Sequence, residues 1–148
     1  MFDFPDDVLP REYARQQPQR IVVTGGAGFL GSHLCERLVG ESHEVICVDN
    51  FQTGRRANVS GLLASGRFEI IEHDIITPLG SRIPRFDQMY NLACPASPPQ
   101  YQADPVSTAL ICSQGTYNCL QAAKHNGDRK STRLNSSHTI QSRMPSSA

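Results

Sequence analysis

The sequence predicts an α/β fold, the N-terminal part of a doubly wound parallel sheet, on three observations. Apolar strand-like runs alternate with helical patterns between residues 20 and 127; the strands are nearly continuous in apolar residues, as sheets covered on both faces require; and a glycine-rich turn joins the first strand to the first helix. The chain has 148 residues, 39% of them hydrophobic, and a formal net charge of zero, enough for one modest domain with a core of its own.

The first strand is expected over 20–24, where Ile21-Val22-Val23 leads directly into Thr24-Gly25-Gly26-Ala27-Gly28-Phe29-Leu30-Gly31. A strand that turns at once into a helix needs backbone conformations that glycine adopts without strain, which Gly25 and Gly26 supply. Gly28 leaves room for a pyrophosphate to approach the backbone, and Gly31 lets the helix pack closely on the strand. The helix expected over 29–40 then points its unpaired N–H groups at the phosphates. Phe29, Leu30, Leu34, Leu38 and Val39 recur at helical spacing and predict its buried face. A second strand over 44–49 ends at Asp49, about 20 residues past the glycines, where a carboxylate takes ribose hydroxyls. Together these features point to a dinucleotide site. A short helical stretch follows near 56–65, then strands over 67–72 and 86–92 and a long helix near 104–126.

The remaining composition narrows the alternatives. Residues 1–19 form a polar lead-in, expected to be poorly ordered or laid on the surface, with nothing resembling a signal peptide and no apolar run of spanning length. A soluble, cytoplasmic protein is expected, with no nucleic-acid or membrane partner. Cys35, Cys47, Cys94, Cys112 and Cys119 contain no C-x-x-C pair and read as free thiols in a reducing compartment. The five histidines, His33, His43, His73, His125 and His138, show no metal spacing, and no metal is expected. Residues 1–127 carry ten Lys or Arg and thirteen Asp or Glu, whereas 128–148 carry four and one with six serines and no apolar periodicity. The domain is therefore mildly acidic and the tail basic. The tail is expected to be disordered, and an arm for nucleic acid or a membrane surface is the weaker reading.

Four stretches carry a family resemblance: 23–34, Val48-Asp49-Asn50-Phe51-Gln52-Thr53-Gly54-Arg55-Arg56, His73-Asp74-Ile75, and Tyr90-Asn91-Leu92-Ala93-Cys94-Pro95-Ala96-Ser97-Pro98-Pro99. From Arg20 to Gly127 the chain resembles the N-terminal half of the extended short-chain dehydrogenase/reductase (NAD-dependent epimerase/dehydratase) family, a Rossmann fold, and within it the UDP-glucuronate decarboxylases. The glycine motif marks only the superfamily; the loop over 95–99 and the stretch 49–56 favour the decarboxylases over the epimerases and dehydratases. The resemblance implies NAD as cofactor, with Gly25, Gly28, Phe29 and Leu30 on its pyrophosphate, Asp49 on the adenosine ribose, and Asn50, Phe51, Thr53 and Gly54 wrapping that ribose. Asp74 and Ile75 flank the adenine, and Leu92, Ala93 and Cys94 line the nicotinamide side. Pro98, Tyr101 and, more weakly, Asn118 face the nucleotide sugar. Asp74 read plainly caps a turn, and Asn118 read plainly is solvated on a helix face. Arg55 and Arg56 could suit a 2′-phosphate and hence NADP, but the charge of Asp49 would repel it, so NAD is favoured.

The implied reaction oxidises C4 of UDP-glucuronate, releases carbon dioxide from the resulting β-keto acid and re-reduces C4 to give UDP-xylose. Its general base in the family is the tyrosine of Tyr-x-x-x-Lys. That motif does not occur here: Gln17, Cys94, Pro105 and Gln121 stand four residues after Tyr13, Tyr90, Tyr101 and Tyr117, and the lysines are Lys124 and Lys130. No catalytic residue is assigned, and this chain is expected to be inactive. Cys112 also departs from the polar side chain many relatives carry. Asp128-Arg129-Lys130-Ser131-Thr132-Arg133-Leu134-Asn135-Ser136-Ser137-His138 resembles translated sequencing adaptor, so 128–148 is expected to be a non-native tail on a decarboxylase fragment. Other expectations are a different epimerase or dehydratase, or a non-catalytic dinucleotide-binding half-domain. A homodimer is expected of the full-length protein and not of this chain.

Overall fold

A computed structural model describes residues 17–95 and 98–126. The lead-in over 1–16, residues 96 and 97 of the proline loop, and the tail from 127 onward lie outside the described residues.

Four parallel strands form one sheet in the order β3-β2-β1-β4: β1 Arg20–Thr24, β2 Glu44–Asp49, β3 Phe68–Glu72 and β4 Gln88–Asn91. Val22 stands opposite Ile46 on one side and Met89 on the other, and Asp49 pairs in register with Glu72. The two central strands are buried along nearly their whole length, which is why they read as continuous apolar runs. Alternation splits their side chains between two cores. Ile21, Val23, Val45 and Cys47 pack with Cys35, Leu38 and Val39 of helix α1 (Phe29–Gly40). On the opposite face Val22, Ile46, Val48 and Met89 meet Ile111, Cys119 and Ala123.

Two expectations about the elements need correction, the α1 face and the loop at 98–103, and two are refined. Only the C-terminal part of the predicted α1 face is buried: Leu38 and Val39 are, Leu34 is partly buried, and Phe29 and Leu30 are 77% and 59% exposed. The first helical turn stands at the sheet's C-terminal edge, beyond the strands that cover the rest of the face. The stretch at 56–65 consists of two 3₁₀ turns, Arg56–Asn58 and Ser60–Ser65. The long helix expected near 104–126 runs without interruption from Pro105 to His125, as α3 (Pro105–Leu110), a π turn (Ile111–Gly115) and α4 (Thr116–His125). It is preceded by α2 (Pro98–Ala103), where a loop was expected. Asp104 separates α2 from α3, its carboxylate accepting from the Ser107 N–H at 2.9 Å while Pro105 opens the new helix.

The cysteine expectation holds for Cys35, Cys47 and Cys119, which are buried free thiols, but not for Cys94 and Cys112, which form a disulfide. Eighteen residues separate the pair in sequence, and only the return of the helical segment toward the end of β4 brings their Cα atoms to 6.0 Å. Among the described residues no helix is long and apolar enough to cross a membrane, and no cluster of His, Cys, Asp and Glu is arranged to hold a metal.

Candidate functional site

The glycine turn and the loops that leave β2, β3 and β4 surround a cleft of about 510 Å³ at the C-terminal ends of the strands. Its floor is the turn itself. Gly25 adopts φ +69°, and a Cβ there would meet the Leu92 carbonyl at 2.5 Å, so glycine is required by both conformation and packing. The Gly25 N–H donates to the Val48 carbonyl, and the Leu92 N–H donates to Thr24, which ties the turn to strands on both sides. Gly31 is crowded against the Gly25 carbonyl, so helix and turn touch through backbone.

Gly28 differs. Its backbone is extended, φ −73° and ψ 179°, which any residue adopts, and an added Cβ would meet only the Gly25 carbonyl at 3.3 Å. Neither strain nor dense packing demands glycine there. What a Cβ at Gly28 would fill is space on the cleft side of the α1 N-terminus, where a pyrophosphate would lie against backbone N–H groups.

The end of the cleft at β2 and β3 is built around carboxylates. Asp49 is 7% exposed and accepts from the Ala27 N–H at 2.9 Å through Oδ2 and from the Phe51 N–H at 2.8 Å through Oδ1. A carboxylate offers about four lone-pair positions, so Asp49 can brace the turn and still accept from ribose hydroxyls. Gly54 packs against Ala27 and Asp49, where a Cβ would come within 3.0 Å of both, and Arg55 and Asn58 donate to the Ala27 carbonyl. Asp74 has the plain role as well as its place on the wall: Oδ1 accepts from Ile76 N–H in a turn, and Oδ2 accepts from the Asn50 amide.

Leu92, Ala93 and Cys94 form the opposite end. Below them the Thr24 hydroxyl donates to Asn91 Oδ1 at 2.6 Å, and Asn91 donates on to Thr116, linking β1, β4 and α4. Burial pushes the neighbouring Cys119 thiol up to about 12, partly offset by a hydrogen bond with Thr24. Cys35 is also raised, by its hydrogen bond with Cys47 and by burial.

The cleft thus gathers Gly25, Gly28, Phe29, Leu30, Asp49, Asn50, Thr53, Asp74, Ile75, Leu92, Ala93 and Cys94 of the expected cofactor residues. Phe51 and Gly54 stand behind the wall rather than on it. Phe51 holds φ 58° and lies under the Arg56 guanidinium at 4.2 Å, and Arg56 also pairs with Glu72, so that arginine is spent on the surface. Of the residues expected to face a sugar, Pro98 and Tyr101 lie on α2, outside the cleft walls. Asn118 is buried and not solvated: its amide donates to the Ile75 and Ile76 carbonyls at 2.8 Å each, supporting the turn beneath the cleft. Gly31, Val48, His73, Pro95 and Ile111 line the cleft without having been assigned to it. The first four adjoin assigned residues. Ile111 carries no local signal, since only the path of the π turn brings it there.

A parallel sheet with helices on both faces and a phosphate cradle at the C-terminal edge of its strands defines a dinucleotide-binding Rossmann domain. The chain belongs to the NAD dependent epimerase/dehydratase family, which matches residues 21–145, a span that runs past Gly127. Curated relatives include UDP-glucuronic acid decarboxylase 1 of Arabidopsis thaliana, 51% identical over 110 residues, covering 74% of this chain and 25% of that protein. The protein of the same name from Danio rerio is 48% identical over 111 residues, covering 75% and 26%. The chain spans about a quarter of the length of these relatives. Similar solved structures include a UDP-galactose 4-epimerase, with TM-score 0.65 and 34% identity over 74% of this chain and 36% of that one. The UDP-glucose 4-epimerase of Thermus thermophilus in complex with NAD gives TM-score 0.63 and 34% identity, covering 73% and 34%. NAD is the family's cofactor, and the space at Gly28 together with the carboxylate at Asp49 suits it.

Proposed function

We propose that this chain is the cofactor-binding part of a UDP-glucuronate decarboxylase, the enzyme that converts UDP-glucuronate to UDP-xylose. The observation that carries this is the 51% identity with a decarboxylase over 110 residues, against 34% with the epimerases of like fold. Bound NAD supplies reversible hydride transfer at C4 of the sugar. The chain's own part is binding and orientation. The α1 N-terminus and Gly28 receive the pyrophosphate, Asp49 accepts from the ribose, Asn50 and Asp74 hold the adenine end, and Leu92, Ala93 and Cys94 wall the reacting end against water. Pro98 and Tyr101, on α2 outside that wall, would meet the nucleotide sugar, and Asn118 acts beneath the cleft by fixing the 75–76 turn.

The 148-residue chain lacks Tyr-x-x-x-Lys and is expected to turn over no UDP-glucuronate; it acts as a dinucleotide-binding module. The full-length protein pairs as a homodimer in this reading, supported by the exposed apolar residues Val106, Leu110, Tyr117 and Leu120 along α3 and α4. Its proposed location is the cytosol. The test is to recover the genomic reading frame that continues past codon 127 and incubate its product with UDP-glucuronate and NAD. Carbon dioxide and UDP-xylose are the expected products; a C4-epimerised or dehydrated sugar would overturn the assignment, and UDP-xylose from the 148-residue chain alone would overturn its inactivity.

A further inference from the structure

Cys94 follows β4 and lines the reacting end of the cleft, while Cys112 lies in the π turn beside Ile111, which lines the same cleft. Their Cα separation of 6.0 Å falls in the usual disulfide range. The bond closes a loop that contains all of α2 and α3.

Within it, α2 and α3 are otherwise held weakly. The main packing of α2 is with α3, and α3 is the exposed first stretch of the helix that continues into the π turn. From Tyr101 to Leu110 every residue is exposed or half-exposed. A segment with so few buried contacts opens at low free-energy cost unless a covalent tie limits it. Cys112 is exposed and Cys94 half-buried, so the bond can be reached from solvent, unlike the three buried cysteines.

We propose that Cys94 and Cys112 form a thiol/disulfide switch that governs the order of the α2–α3 segment and, through it, the nicotinamide end of the cleft. The proposal rests on the cleft's being the dinucleotide site. A dithiol of the thioredoxin class is the reductant. Its thiolate attacks the Cys112 sulfur, and Cys94 leaves as thiolate and takes a proton. The second thiol of the dithiol then attacks the mixed disulfide and releases Cys112, so the protein gains two electrons and two protons while the dithiol becomes a disulfide. Reduced, the wall formed by Cys94 and Ile111 loses its covalent tie. The adenosine end, built from Asp49, Asn50 and Asp74, lies outside the closed loop and keeps its geometry. Such a pair suits a protein of a reducing compartment, where disulfides are transient and redox-sensing.

The test compares the 148-residue chain after air oxidation and after dithiothreitol, with C112S treated in parallel. Non-reducing peptide mapping is expected to recover a Cys94–Cys112 linkage only in the oxidised wild type. Amide exchange across 98–111 is expected to quicken by about tenfold or more on reduction. NAD affinity is expected to fall several-fold while AMP, which occupies only the adenosine end, binds equally in both states. C112S should match the reduced protein whether or not dithiothreitol is present. Unlinked cysteines after oxidation, equal exchange in the two states, equal NAD affinity, or a parallel fall in NAD and AMP affinity would each overturn the switch. If neither nucleotide binds in either state, the cofactor reading fails, and mapping with exchange across 98–111 decides the switch alone.

Discussion

Gly25 and Gly28 belong to one motif but answer to different causes, and substitution separates them. Gly25 holds a left-handed backbone against the Leu92 carbonyl. Gly25→Ala is therefore expected to cost more than about 2 kcal/mol in urea unfolding, from conformation and overlap together. Gly28→Ala should change stability by less than about 0.5 kcal/mol, yet weaken NAD binding by about tenfold or more, because its Cβ occupies ligand space rather than protein space. Equal effects of the two substitutions on unfolding would show that the cradle is merely packing. Asp49 adds selectivity: NAD should bind at least about tenfold more tightly than NADP, and Asp49→Asn should narrow that ratio, as read by competitive titration. These residues were legible in the sequence because each has a chemical reason to stand at a fixed distance from the turn. Phe51 and Asn118 were harder to place. One is a strained loop residue beneath Arg56 and the other a buried brace for a turn more than 40 residues away, and nothing local in the sequence reveals such partners.

Cys119 gives a pH dependence. Its ordinary value near 9 is raised to about 12 by burial, so between those pH values the unfolded chain has released a proton that the folded chain retains. Stability should therefore decline as pH rises from about 9 toward 12, and Cys119→Ala should lessen that slope in denaturant titrations. An unchanged slope would mean that the thiol is not shielded as the structure places it.

Among the elements, β1 and β2 were legible because burial on two faces leaves an unbroken apolar signature, and α1 because its apolar residues recur at helical spacing. The helix over 98–103 and the π turn inside the long helix were not. Asp104 caps a new helix, and the π turn ends at Gly115, whose missing side chain admits Ile75. A Cβ at Gly115 would come within 2.6 Å of Ile75 Cδ1. Gly115→Ala is expected to lower stability by about 1–2 kcal/mol, and Ile75→Val, which removes Cδ1, should recover part of that loss in the double variant. Additive losses in a double-mutant cycle would deny the contact. The disulfide was missed for a related reason: cysteine spacing does not report which segments a π turn brings together.

For the whole molecule, alternating strand and helix signals predicted the parallel sheet, and its order puts β1 at the centre with β2 and β4 on either side. That order places the glycine turn, the end of β2 and the end of β4 around one cleft, so cofactor binding follows from topology as much as from the motif. Substrate recognition was less legible, because the residues expected for it stand on α2 or under the cleft rather than on its walls. The central claim is that the 148-residue chain folds as an NAD-binding module, and calorimetric titration with NAD tests it most directly. Saturable one-to-one heat that weakens by about tenfold in Gly28→Ala is the predicted result. No heat from a chain whose β1 and β2 amides remain protected from exchange would contradict it.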